Sequence, residues 1–166
     1  MSPDTVTFGQ PPISEIPSYV TIKSGSLGTG SLKKQLHAFY PVSEARIVSD
    51  PLAVEAGPAR LSETHASGDV QVTADAAAQL PEYMGDSGRM SWDFAIDKKL
   101  ALNVDYGSSA FFRRLNAFTM FWPAEGMKTL YRGTVTIDGE TYLVTPETSY
   151  GCADENWGAD FTNPWV

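Results

Sequence analysis

Between Tyr150 and Trp165 the chain sets acids, an amide and large aromatic rings side by side. A carboxyl pressed against ring faces loses hydration, so its neutral form is favoured and its pKa climbs. Such a group can donate a proton near neutral pH. The ring faces of Trp157, Phe161, Trp165 and, upstream, Trp122 suit a developing cation, each contact contributing ~0.5–2 kcal/mol. Asp154 is the candidate proton donor, and Glu125, just after Trp122-Pro123-Ala124, is a secondary acid. Asn156 would orient the acid or a substrate oxygen, and Tyr150 opens the segment on its substrate-binding side. The same residues also read as an ordinary β core with acids on its turns, and periodicity alone favours that plainer reading.

Other chemistries find little support. His37 and His65 stand far apart and Cys152 is alone, so no spacing suits zinc, and neither metal nor cofactor is expected. As a nucleophile Cys152 would need a base, and Asp154 and Glu155 beside it would raise its pKa. No serine sits in a nucleophile-elbow setting. The net charge of −8, from 20 acidic and 12 basic residues, argues against a nucleic-acid partner. One cysteine permits no internal disulfide and suits a reducing compartment. The start, Met1-Ser2-Pro3-Asp4, lacks the features of a signal peptide, and no apolar run approaches the ~20 residues of a spanning helix. A cytoplasmic protein is expected, with membrane contact only at a surface.

The 166 residues, 42% hydrophobic and 19% charged, are enough for one globular domain. Residues 1–18, with Pro3, Pro11, Pro12 and Pro17, read as an extended arm, and residues 19–166 as a β domain. The stretch from Ser24 to Ser31 is a Gly/Ser loop without the Gly-Lys-Ser/Thr ending of a phosphate loop. Candidate strands are 19–23, 36–40, 45–48, 69–73 and 90–96. Asp97-Lys98 is expected to turn the chain into a further strand over 100–106. Asp138-Gly139 between Thr134–Ile137 and Thr141–Val144 predicts a tight hairpin. A short helix is predicted over 73–80, capped by Thr73 or Asp75 and stopped by Pro81. Short strands with turn punctuation point to an antiparallel barrel or sandwich.

The segment from Tyr150 to the end resembles the signature of the tocopherol cyclase-like family. There an aromatic precedes an acid, a basic residue, Asn-Trp-Gly, a spacer, Phe and a Trp-rich strand. Asp154, Asn156, Trp157, Gly158, Phe161, Pro164 and Trp165 match in turn. Pro81–Met84, Met90–Asp93, Asn116–Phe118 and Glu125–Thr129 are similar to bacterial members, so the likeness runs from about residue 35 onward. It implies a lipocalin-like β-barrel or half-barrel and a proton-initiated ring closure of a prenylated quinol, or hydration of another isoprenoid. The implied partner is a small hydrophobic or isoprenoid ligand. The chain departs from the pattern at Cys152, Glu155 and Pro123, where the family carries Tyr, a basic residue and often His. Family members also continue past the equivalent of Val166, so this chain is expected to correspond to the N-terminal half. An unfinished barrel leaves an open sheet edge, through which self-association is expected. Two alternatives therefore stand beside the enzyme: a non-catalytic carrier of a hydrophobic ligand, and a fragment inactive without a second β half.

Overall fold

A computed structural model describes residues 5–25, 33–79, 85–102, 111, 114–115, 120–121, 124–153 and 157–158, with the main chain alone described at 101–102, 120–121, 124–125, 153 and 157–158. The fold is mainly β and antiparallel. Its strands are β1 (Val6–Phe8), β2 (Ile13–Glu15), β3 (Ser18–Ser24), β4 (Lys34–Tyr40), β5 (Ala45–Ser49), β6 (Leu52–Ala56) and β7 (Ala59–Ser62). They continue with β8 (His65–Val72), β9 (Gly88–Leu102), β10 (Met120–Phe121), β11 (Ala124–Ile137), β12 (Glu140–Val144), β13 (Tyr150–Ala153) and β14 (Trp157–Gly158). One sheet of eight strands runs β12-β11-β9-β8-β7-β6-β5, with β13 also on β11. Its order is open rather than closed, as expected of a half-barrel. Two-stranded ribbons form from β1 and β2, β3 and β4, and β10 and β14. Among the described residues no helix is long and apolar enough to cross a membrane.

The contacts divide the chain into two compact units, one of residues 1–95 with 133–144, the other of residues 96–132 with 145–166. In the first unit, strand alternation sorts the sheet into two unlike faces. Register places Ile47, Val54, Leu61, Ala66 and Phe94 in one cross-strand row, and Arg46, Glu55, Arg60, Ser67 and Asp93 in the adjoining row on the opposite face. The second row alternates in sign across β5, β6 and β7, and Arg60 Nη1 donates to Glu55 Oε1 at 2.8 Å. The β3–β4 ribbon packs on the apolar face. Leu36, Val70, Val72 and Met90 form its buried core, with Val20, Ile22, Ala38 and Trp92 packed against them.

Several expected elements hold. The candidate strands at 19–23, 36–40 and 45–48 are β3, β4 and β5. The helix α1 (Ala74–Gln79) starts where Thr73 accepts the Ala76 N–H on Oγ1 at 3.1 Å. Asp138 and Gly139 adopt φ of 48° and 91°, the left-handed pair that a two-residue primed turn requires. The Asp138 carboxylate accepts the Arg89 N–H at 2.9 Å and an ion pair from Lys34, fastening the β11–β12 hairpin to β4 and β9.

The turn expected at Asp97-Lys98 is absent. β9 runs unbroken from Gly88 to Leu102. Neither residue supplies the positive φ of a tight turn, and Asp97 instead pairs with Lys99 along the strand. Within the expected N-terminal arm, β1 and β2 pair as a small hairpin, Val6 opposite Glu15. The Gly/Ser loop falls in 26–32, outside the described residues apart from its first positions.

Candidate functional site

The second unit carries the acids. β11 and β13 pair with Gly126 opposite Ala153, Thr129 opposite Gly151 and Leu130 opposite Tyr150. One candidate acid, Glu125, directly precedes Gly126, and the other, Asp154, directly follows Ala153. Gly126 and Ala153, far apart in the chain, are thus brought opposite each other at one end of the strand pair. Between Gly126 and Thr129 the register slips by one residue, a β-bulge on β11. Bulges kink and twist a strand and so re-aim the residues beside them. Here the kink is sealed by Thr129, fully buried, whose Oγ1 donates to the Gly126 carbonyl at 3.3 Å.

Tyr131, which sequence reasoning did not single out, lies on the same strand pair. Its ring covers Gly151, where a Cβ would stand 2.8 Å from the ring. Its hydroxyl donates to the Cys152 carbonyl at 3.5 Å. Burial pushes the phenol pKa up, and Cys152 adds to the effect. A neutral phenol is therefore held at the Cys152 carbonyl. The only clue in the sequence was the glycine at 151, a position open enough for a ring to cover.

The predicted site residues fare unevenly. Tyr150 is on β13 with 87% of its surface exposed. Glu125 is on β11, and Trp157 is on β14 opposite Phe121, both known by their main chain. Asp154, Asn156, Trp122, Phe161 and Trp165 lie outside the described residues. Cys152 is an exposed free thiol. His37 bonds Thr21 Oγ1 at 2.9 Å through Nδ1, and His65 bonds Asp93 at 3.0 Å. Burial and the Lys23 charge both lower the His37 pKa, so its ring favours the neutral form.

The first unit holds a cavity of about 380 Å³ that sequence reasoning also missed. Tyr19, Val20 and Thr21 of β3 form one wall; Val54, Leu61, Ala66 and Trp92 of the large sheet form another. A smaller hollow of about 280 Å³ shares Thr21, Ala66 and Trp92 with it and adds Ile22 and Phe94. Among the described residues Arg60 is the one charged residue along the lining, and its guanidinium is paired with Glu55. Trp92 can lie flat here because its cross-strand partner is Gly68. Any Cβ at Gly68 would collide with the indole.

No family model matches the chain, and no curated protein or solved structure is detectably similar to it.

Proposed function

We propose that this chain is a tocopherol cyclase-like protein, carrying out proton-initiated cyclisation, or hydration, of a prenylated quinol or another isoprenoid. The observation that carries this reading is the Gly126–Ala153 register, which sets the chain neighbours of Glu125 and Asp154 side by side at a bulge. Asp154 protonates the alkene and leaves a tertiary cation, which the Trp157 ring face steadies. The phenolic oxygen of the same substrate forms the new C–O bond and releases its proton, so ring closure is an isomerisation. Where water captures the cation instead, the product is a tertiary alcohol. Glu125 is the second acid, and Asn156 orients Asp154 or the substrate oxygen. A reducing, cytoplasmic setting belongs to the same proposal and suits the lone thiol. Incubation with a prenylated quinol should yield chromanol, and Asp154→Asn should abolish it; a protein that yields none alongside an active relative is not a cyclase.

A second reading, a non-catalytic carrier, rests on the apolar cavity against Trp92. A volume near 380 Å³ falls in the usual range for small-molecule sites of ~300–1,000 Å³. A carrier would bind a fluorescent fatty acid or retinoid saturably and keep its affinity in Asp154→Asn. Absence of saturable binding would remove this reading and leave the first untouched.

A further inference from the structure

We propose that two copies of this chain join through β5, which pairs antiparallel with its own symmetry mate about a two-fold axis at Ile47. Among the described residues β5 ends the sheet, with β6 on one side and no strand on the other, and such an edge presents main-chain groups that can pair. Natural edges are usually blunted by proline, lysine, a bulge or a charge pointing toward the apolar face. The sequence Ala45-Arg46-Ile47-Val48-Ser49 has none of these inside the strand. Its single charge, Arg46, belongs by register to the opposite face, across from Glu55.

The strand is also complementary to itself. Centred on Ile47, the antiparallel pair sets Ile47 against Ile47, Arg46 against Val48 and Ala45 against Ser49. Centred on Arg46, it would oppose two guanidinium groups, which is unfavourable. Centred on Val48, it would set Ile47 against Ser49 and waste the apolar contact. The Ile47-centred pairing keeps both apolar faces on one side of the joined sheet. It makes one row of Ile47, Val54 and Leu61 run into its copy, and these three are 73%, 39% and 53% exposed in the single chain. Continuity of that row across the seam favours a second copy over an unrelated strand. The seam is short, so the dimer belongs to the weak, concentration-dependent class. The −8 charge on each chain opposes it, and salt should strengthen it by screening that repulsion.

The test combines sedimentation with self-cross-linking of the full chain. Wild type should shift from monomer to dimer with rising concentration, and more so at high salt. Ile47→Lys, on an exposed site that a charge leaves folded, should weaken the dimer by about tenfold or more. Leu143→Lys, on the opposite edge strand, should leave it unchanged. In a Cys152→Ser background, Ile47→Cys should oxidise to a covalent dimer, since directly opposed Cα atoms lie ~4.5–5.5 Å apart, within disulfide reach. Arg46→Cys and Val48→Cys should cross-link far less, because their symmetric partners are diagonal at ~7–8 Å. A wild type that stays monomeric at every concentration overturns the proposal. So does a dimer that survives Ile47→Lys or is lost in Leu143→Lys, and so does equal cross-linking at 46, 47 and 48.

Discussion

Two stretches of one apolar sheet face differ sharply in what covers them. Along β8 and β9, Val70 and Met90 are sealed beneath the β3–β4 ribbon, 0% and 1% exposed. One, two and three strands beyond β8 on the same face, Leu61, Val54 and Ile47 stand open. Both stretches alternate in the same way and use the same kinds of side chain. Local pattern decides which face is apolar; burial is decided by whether a second layer lies on it. The cavity at Trp92 sits on the boundary, where the ribbon's cover ends.

The contrast is most easily broken by truncating one side chain in each stretch. Met90→Ala should cost ~2–5 kcal/mol, because it opens a cavity under the ribbon. Leu61→Ala, on the open stretch, should stay within about 0.5 kcal/mol. Urea titration of the two variants decides it, and equal losses would mean that Leu61 is buried in solution. Gly68→Val should come next, at ~1–3 kcal/mol, since the new methyls displace the Trp92 ring. A shifted tryptophan emission and lost retinoid binding should accompany the loss if the hollow depends on that ring. Thr73→Ala removes the α1 cap and should cost about 1 kcal/mol, read from the same titrations.

The smallest effect expected is electrostatic. Asp138, held by Lys34 and the Arg89 N–H, and Asp69, held by Arg89, both have carboxyl pKa values below the usual range. Their folded state therefore binds protons less readily than the unfolded chain. The stabilisation is present above the unfolded carboxyl value near ~4 and fades as pH falls through the lower folded values. Both carboxylates are solvent-exposed, so the change is modest and weakens with salt. Asp138→Asn, which still tolerates the positive φ of its turn, should flatten the decline in urea midpoint between pH 5 and pH 2. An unchanged slope would show that the Lys34 clamp contributes nothing.

How far the sequence foretold this arrangement varies with the residue. Asp138-Gly139 and Thr73 were legible because tight turns and helix caps are set by the conformations of one or two residues. β6 and β7 were not foreseen: Leu52–Ala56 and Ala59–Ser62 are short, and alanines and arginine blur their alternation. The unbroken β9 was misread because Asp-Lys looks like a turn in isolation, although neither residue takes the positive φ of a tight turn. At the site, Glu125 and Asp154 were picked out by their aromatic neighbours, yet nothing local revealed that β11 and β13 pair beside them. Trp92 was seen as part of an alternating strand, but its role in a cavity depends on Gly68 and on a distant ribbon. Long-range partners, unlike turns, leave no mark within a window of a few residues.

In the proposed cyclisation Asp154 delivers a proton to carbon, and running the reaction in D2O tests that step directly. With a prenylated quinol as substrate, the wild-type chromanol should carry one carbon-bound deuterium, and Asp154→Asn should form none. Chromanol without carbon-bound deuterium, or equal product from wild type and Asp154→Asn, would contradict it.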